Sequence, residues 1–171
     1  MAIYGFMIIK NEADILGQAL DSLCSYGGFK RILVFDNESN DDSLAVARSF
    51  KSRGVESHEL NVPYSDDLKY DNVYSHSHLM QEGDWFAILD GDQLYRESLP
   101  EAIASAEAEG ANTIEIKAAQ FYFTERENNH SFHRELPAEQ QRSFYLLNYG
   151  EPQIFRYTAS QRLTAHMVKS R

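Results

Sequence analysis

Two carboxylates separated by one glycine, Asp90-Gly91-Asp92, follow directly on the apolar run Trp85-Phe86-Ala87-Ile88-Leu89. An unbroken apolar run of this length reads as a strand buried on both faces. Aspartate is depleted in strands and rarely buried unpaired, which places both acids where the strand ends and solvent begins. Residues two apart on an extended chain point the same way, roughly 6.6 Å apart. A bend at Gly91 would bring the two heads together, and at about 4 Å, with an effective dielectric of about 20, they would repel by about 4 kcal/mol. A cation relieves that repulsion, and hard oxygen ligands suit Mg²⁺ or Mn²⁺. The same residues also read as a strand-to-turn junction with solvated acids, since Asp-Gly is a common turn pair.

Two further strands end the same way. Residues 3–9 (Ile-Tyr-Gly-Phe-Met-Ile-Ile) form a buried strand that runs into Lys10-Asn11-Glu12. Residues 31–35 form a second, ending at Asp36-Asn37-Glu38. Between them, residues 11–14 offer polar starts for a helix with Ile15, Leu16, Ala19, Leu20 and Leu23 at helical spacing, closed by Gly27-Gly28. A second helix is expected over 43–53, stopped by Gly54. A weaker strand is expected over 55–62, a helix over 71–81, and a helix from Pro100 to Gly110. Residues 113–123 read as one strand and 153–158 as a last one. Strands alternating with helices imply an α/β fold with parallel strands and right-handed crossovers. Ligands of such a sheet bind beyond the carboxyl ends of its strands, so three polar strand ends on one rim would make a site.

The 171 residues suffice for one domain with a sizeable core. A net charge of −10 argues against a general nucleic-acid binder, which needs a basic footprint, and against docking on anionic membrane by charge. The single cysteine, Cys24, forms no internal disulfide, which favours a reducing, cytoplasmic compartment; its place in a helical pattern reads as a small core residue. No apolar run is long enough for a transmembrane segment, and no signal peptide is visible at Met1. Residues 125–143 are polar, carry His130, His133 and Arg134, and show no periodicity, so they read as a loop over the site or as a disordered stretch.

The three strand ends also carry a family resemblance. Ile8-Ile9-Lys10-Asn11-Glu12-Ala13-Asp14-Ile15-Leu16 resembles the first strand and helix of family 2 glycosyltransferases of the GT-A fold. Residues 31–43 resemble their second strand and donor-nucleotide loop, and Gly83-Asp84-Trp85 through Asp92 is similar to the strand ending in their metal-binding Asp-x-Asp. The ordered set spans residues 3–95. It implies a GT-A-like nucleotide-binding sandwich with a mainly parallel central sheet flanked by helices. Residues 1–171 would be one such domain, with 1–95 the nucleotide-binding half and 96–171 a shortened acceptor-side half.

The resemblance implies a metal-dependent transfer of a hexose from a nucleoside diphosphate sugar, a UDP-sugar favoured, with inversion at the sugar. The acceptor (glycan, lipid or protein) is open. Ile9, Lys10, Glu12, Asp36, Asn37, Asp90 and Gly91 would bind the donor, carboxylates suiting ribose hydroxyls and base N–H groups. Asp90 and Asp92, with His166, would hold Mn²⁺ or Mg²⁺. Lys10 reads first as a solvated lysine at a strand exit, and His166 as a structural or solvent-exposed residue. His76 and His78 read as helix-face residues, while Tyr64 and Tyr70 would stack on a base or pack in the core. Two departures stand out. Asn37 occupies the place where much of the family has a uracil-reading aspartate, and no downstream Glu-Asp pair offers a catalytic base. Glu125, Glu127, Glu135 and Glu151 are candidates by elimination, each also readable as a surface acid. The shortness of the second half leaves acceptor binding minimal, or supplied by a partner chain or a missing segment.

Three other classes compete. A catalytically degenerate donor-binding module would keep the strand-end acids without a base. A nucleotidyltransferase uses similar acids but opens with a glycine-rich phosphate loop, which Lys10-Asn11-Glu12 does not provide. A receiver-like module needs its acid pair just after the first strand, which Asn11-Glu12 fits poorly.

Overall fold

A computed structural model describes residues 1–65, 67–115, 118–122, 144–148 and 152–160. In chain order the elements are β1 (Ile3–Ile9), α1 (Leu16–Tyr26), β2 (Arg31–Asn37), α2 (Ser43–Ser49), β3 (Val55–Leu60), α3 (Leu68–Ser75) and β4 (Trp85–Asp90). They continue as β5 (Gln93–Leu94), α4 (Leu99–Ala108), β6 (Thr113–Glu115), β7 (Ala118–Tyr122), β8 (Phe144–Asn148) and β9 (Pro152–Arg156). Short 3₁₀ turns cover Lys51–Arg53 and Ser77–Leu79.

The central sheet has six strands in the order β3-β2-β1-β4-β9-β6. β3, β2, β1 and β4 are parallel, and β9 and β6 pair antiparallel at the far side. A second antiparallel sheet is formed by β5, β7 and β8. The α/β architecture expected from strand–helix alternation is therefore present, with a mainly parallel sheet flanked by helices.

Strand periodicity of two divides the core between the two faces. Ile3, Met7, Ile9, Ile32, Val34, Trp85, Ala87 and Leu89 pack on one side with Leu16, Leu20 and Leu23 of α1, Ala47 of α2, and Leu99 and Ile103 of α4. Tyr4, Phe6, Ile8, Leu33, Phe35, Phe86 and Ile88 pack on the other with Val73 of α3 and Met80. Among the described residues, α1, α2 and α4 thus cover one face, and α3 covers the other.

Local departures have local causes. The first helix starts at Leu16 rather than within residues 11–14, because the amides of Asn11, Glu12 and Ala13 donate to Ser39 Oγ, Ser43 Oγ and Asp41 Oδ2 of the facing loop. The helix expected over 71–81 is displaced to Leu68–Ser75 and followed by a 3₁₀ turn. There the Asn72 amide and the Ser75 and Ser77 hydroxyls donate to carbonyls of Leu68, Asp71 and Tyr74, contacts that compete with a regular helix. The helix expected over 43–53 ends at Ser49 with Phe50 as its cap, and Gly54 closes the 3₁₀ turn that follows, in the left-handed conformation (φ 87°) that favours glycine. The single strand expected over 113–123 is two strands in different sheets, with a bulge at Ile114/Glu115. Cys24 is half-buried at the edge of the core rather than inside it, its Sγ 3.9 Å from the Arg53 carbonyl.

Candidate functional site

The rim formed by the ends of β2, β1 and β4 is where the polar strand ends meet. Parallel register sets Ile9 beside Asp36 and Ile8 beside Asp90, so Asp36 and Asp90 flank β1, one strand away on either side. Alternation then assigns faces. Asp36 continues the Ile32–Val34 side, under α1, α2 and α4; Asn37 and Asp90 continue the opposite side, under α3. Asp36 and Asn37 are both buried, and one oxygen of each, Asp36 Oδ1 and Asn37 Oδ1, has no hydrogen-bond partner. Asp36 Oδ2 accepts from the Ser39 amide at 3.2 Å.

The loops after β1 and β2 are stitched together. Asn11 N donates to Ser39 Oγ (2.9 Å), Asn40 N to Asn11 Oδ1 (2.8 Å), Glu12 N to Ser43 Oγ (2.8 Å) and Ala13 N to Asp41 Oδ2 (3.1 Å). Asp41 Oδ1 in turn accepts from the Ser43 hydroxyl and amide. Burial pushes the Asp41 carboxyl up, but these donors outweigh it and hold it below the usual range. Asn11 and Glu38 adopt left-handed backbone (φ 56° and 58°), and among the described residues no other non-glycine residue does so. Both lie in these two loops, and such strain gathers where a site over-determines the backbone.

Across the rim, Glu12 reaches the turn after β4. A side chain at Gly91 would set its Cβ 1.9 Å from Glu12 Oε2 and 3.1 Å from Ile9 Cγ2. Any larger residue there would displace the Glu12 carboxyl and press on Ile9. Glu12 Oε2 is buried without a hydrogen-bond partner. Burial, then the charges of Asp92 and Asp90, push the Glu12 carboxyl up to about 8, against the opposing pull of Lys69.

Asp90 is held from both sides. Lys69 of α3 forms an ion pair with Oδ1, and Gln93 Nε2 donates to Oδ2 at 3.0 Å. Burial disfavours the Lys69 ammonium, but Asp90 outweighs it and raises the amine above its ordinary value. Gln93 is fully buried and accepts from the Tyr95 hydroxyl at 2.9 Å. The Tyr95 amide joins Ser22 Oγ of α1 at 3.1 Å. Burial, with Asp90 and Asp92, raises the Tyr95 phenol, so it acts as a donor.

The structure brings Glu12, Asp90, Gly91 and Asp92 together and sets Asp36 and Asn37 one strand over. Lys10 is exposed beside them, and the Ile9 side chain belongs to the core. Glu125, Glu127, Glu135, Glu151 and His166 lie outside the described residues. Lys69, Gln93 and Tyr95 went unmarked in the sequence, because only the covering of one face by α3 and a two-residue strand bring them to Asp90. His76 caps α3, its Nδ1 donating to the Asn72 carbonyl at 2.9 Å, and its ring meets the stacked pair of Phe35 and His58 at a tilt.

The donor set at the turn, two aspartates beside an unpartnered buried glutamate oxygen, has the hard-oxygen chemistry of a Mg²⁺ or Mn²⁺ site. Among the described residues no group of three His, Cys, Asp or Glu side chains could hold a metal by itself. An ion here would take further ligands from water or phosphate.

The sequence profile described as glycosyl transferase family 2 matches residues 6–166. This chain belongs to glycosyl transferase family 2. No curated protein matches it. Among solved structures, the family 2 chain is similar to S. aureus TarS 1-349 in complex with UDP. The identity is 16%, with TM-score 0.55 over 73% of this chain and 37% of that one. It is likewise similar to the mannosyltransferase PcManGT from Pyrobaculum calidifontis in complex with GDP-Man and Mn²⁺ (15%, 0.55, 74% and 36%). A 4-diphosphocytidyl-2C-methyl-D-erythritol synthase matches at 12% identity and TM-score 0.50, over 91% of this chain and 75% of that one. At these identities the likeness is one of fold, and the fold is GT-A. The family 2 chain spans about a third of the length of the TarS structures it matches. Among the described residues, no helix is long and apolar enough to cross a membrane.

Proposed function

We propose that this family 2 chain transfers a sugar from a nucleoside diphosphate sugar to an acceptor hydroxyl, with a divalent ion at the Asp-x-Asp turn. The observation that carries the reading is the meeting of Glu12, Asp90 and Asp92 at the carboxyl ends of adjacent parallel strands, where nucleotides bind α/β sheets. A Mn²⁺ or Mg²⁺ ion bound there would stabilise the charge that develops on the leaving diphosphate. Asp92, with Asp90, would hold that ion. Asp36 and Asn37 would offer their unpartnered buried oxygens to ribose hydroxyls and base N–H groups, and the stitched loops would keep those acceptors in place. Lys10 would reach a phosphate from the open side of the rim. A carboxylate outside the described residues would deprotonate the acceptor as it attacks, giving inversion.

TarS has been crystallised with UDP and PcManGT with GDP-Man and Mn²⁺, which favours a hexose donor and sets the range of bases to test. In this reading residues 1–95 bind the donor, and 96–171 form a shortened acceptor-side half within one domain. A partner chain or further residues would complete acceptor binding, and the single cysteine favours a cytoplasmic location.

The test is release of nucleoside diphosphate from a panel of UDP- and GDP-sugars with Mn²⁺ or Mg²⁺, wild type against Asp92→Ala. Release lost in the variant supports the reading. Donor binding without release would make the chain a donor-binding module. Pyrophosphate release from a nucleoside triphosphate would make it a nucleotidyltransferase.

A further inference from the structure

Both oxygens of Asp90 are already engaged by the protein, and the two partners differ in kind. Gln93 is a fixed partner: it is fully buried, and its own oxygen accepts from Tyr95, which is anchored to α1 through Ser22. Lys69 is a movable one. Its ammonium is a point charge on a four-carbon arm from α3, with its side chain 26% exposed against 29% for Asp90. Glu12 stands close enough to feel the charges of Asp92, Asp90 and Lys69 together.

We propose that Lys69 is a resident counter-ion of the donor site, which holds Asp90 until a nucleoside diphosphate arrives and then passes to the phosphates, so that divalent ion and nucleotide load together. The inference rests on the donor-site reading above and adds an order of events to it. A divalent ion approaching Asp90 alone meets the like charge of Lys69. A diphosphate removes that obstacle, because it offers the ammonium a new anion within the sweep of the same side chain. The two ligands therefore favour one another, by the same factor in either order. Gln93 keeps the Asp90 carboxylate oriented throughout.

The experiment measures Mn²⁺ binding to the full chain by electron paramagnetic resonance of the free ion, with and without UDP or GDP, and nucleotide binding by calorimetry. Wild type should bind Mn²⁺ at least about tenfold more tightly when nucleotide is present. Lys69→Met should tighten Mn²⁺ binding in the absence of nucleotide by about tenfold and weaken nucleotide binding in the presence of Mn²⁺, shrinking the coupling. Lys69→Arg should keep the wild-type pattern. Lys69→Gln is carried alongside, with thermal melts, so that a folding defect in one variant does not decide the matter. Neutral variants with wild-type Mn²⁺ affinity in the absence of nucleotide overturn the proposal and leave the donor site standing. A wild-type chain that binds neither Mn²⁺ nor nucleotide overturns both.

Discussion

The Glu12 carboxylate occupies the space that a side chain at Gly91 would need, a Cβ there lying 1.9 Å from Glu12 Oε2. The contact joins the turn after β1 to the turn after β4 and explains the glycine between the two aspartates. Gly91→Ala should displace Glu12, lower stability by about 1–3 kcal/mol and weaken Mn²⁺-dependent UDP or GDP binding. In a Glu12→Ala background the same substitution should cost much less. A double-mutant cycle by denaturant unfolding measures the difference; equal costs in the two backgrounds would show that the two residues do not press on one another.

Glu12 also sets a pH dependence. Its carboxyl, raised from 4.5 to about 8 in the folded chain, keeps a proton that the unfolded chain releases earlier. The folded state therefore binds more protons across that window, and stability falls as pH rises from about 4.5 to about 8, then levels. Below the window the contribution is fully present. Urea unfolding across this range should show the slope in the wild type and a flatter profile in Glu12→Gln.

Asp92→Asn should abolish Mn²⁺-dependent nucleotide binding while leaving the melting temperature close to wild type, since Asp92 stands outside β4 on the turn. Calorimetry with UDP and GDP, with Mn²⁺ and with a chelator, checks this. Unchanged affinity in Mn²⁺ would remove Asp92 from the metal site.

Leu89 is fully buried at the centre of the sheet, on the face covered by α1, α2 and α4. Leu89→Ala should cost about 2–5 kcal/mol. Leu89→Asp should unfold the chain, because the charge has no partner there. Circular dichroism and urea titration read both outcomes.

Asp41 ties the loops after β1 and β2 through Ala13 and Ser43. Asp41→Ala should lower stability by about 1–3 kcal/mol and loosen nucleotide binding without touching the metal turn. Mn²⁺ affinity in the absence of nucleotide should therefore stay at the wild-type level, and a parallel loss of it would tie the loop to the ion as well.

The buried strands were legible because parallel strands covered on both faces must be apolar along their whole length, as in residues 3–9, 31–35 and 85–89. The acids at their ends were legible for the converse reason. Lys69 and Gln93 were not, since no spacing along the chain states which helix covers which face. The start of α1 was misread because polar residues suited to capping a helix are spent here on a neighbouring loop. Residues 113–123 alternate well enough for one strand, yet the chain bulges at Ile114/Glu115 and changes sheets, a matter of tertiary pairing.

β9 lies between β4 and β6, so the strand that ends at Asp90-Gly91-Asp92 takes its second neighbour from residues near the far end of the described chain. During synthesis, β1 through β4 emerge first and can assemble a parallel sheet, but Trp85, Phe86 and Ala87 then face a bare backbone edge until residues 152–156 have been made. A ribosome stalled in that interval would hold a nascent chain inviting pairing with any extended neighbour. The interval favours translation that is quick, or shielded, between those two strands.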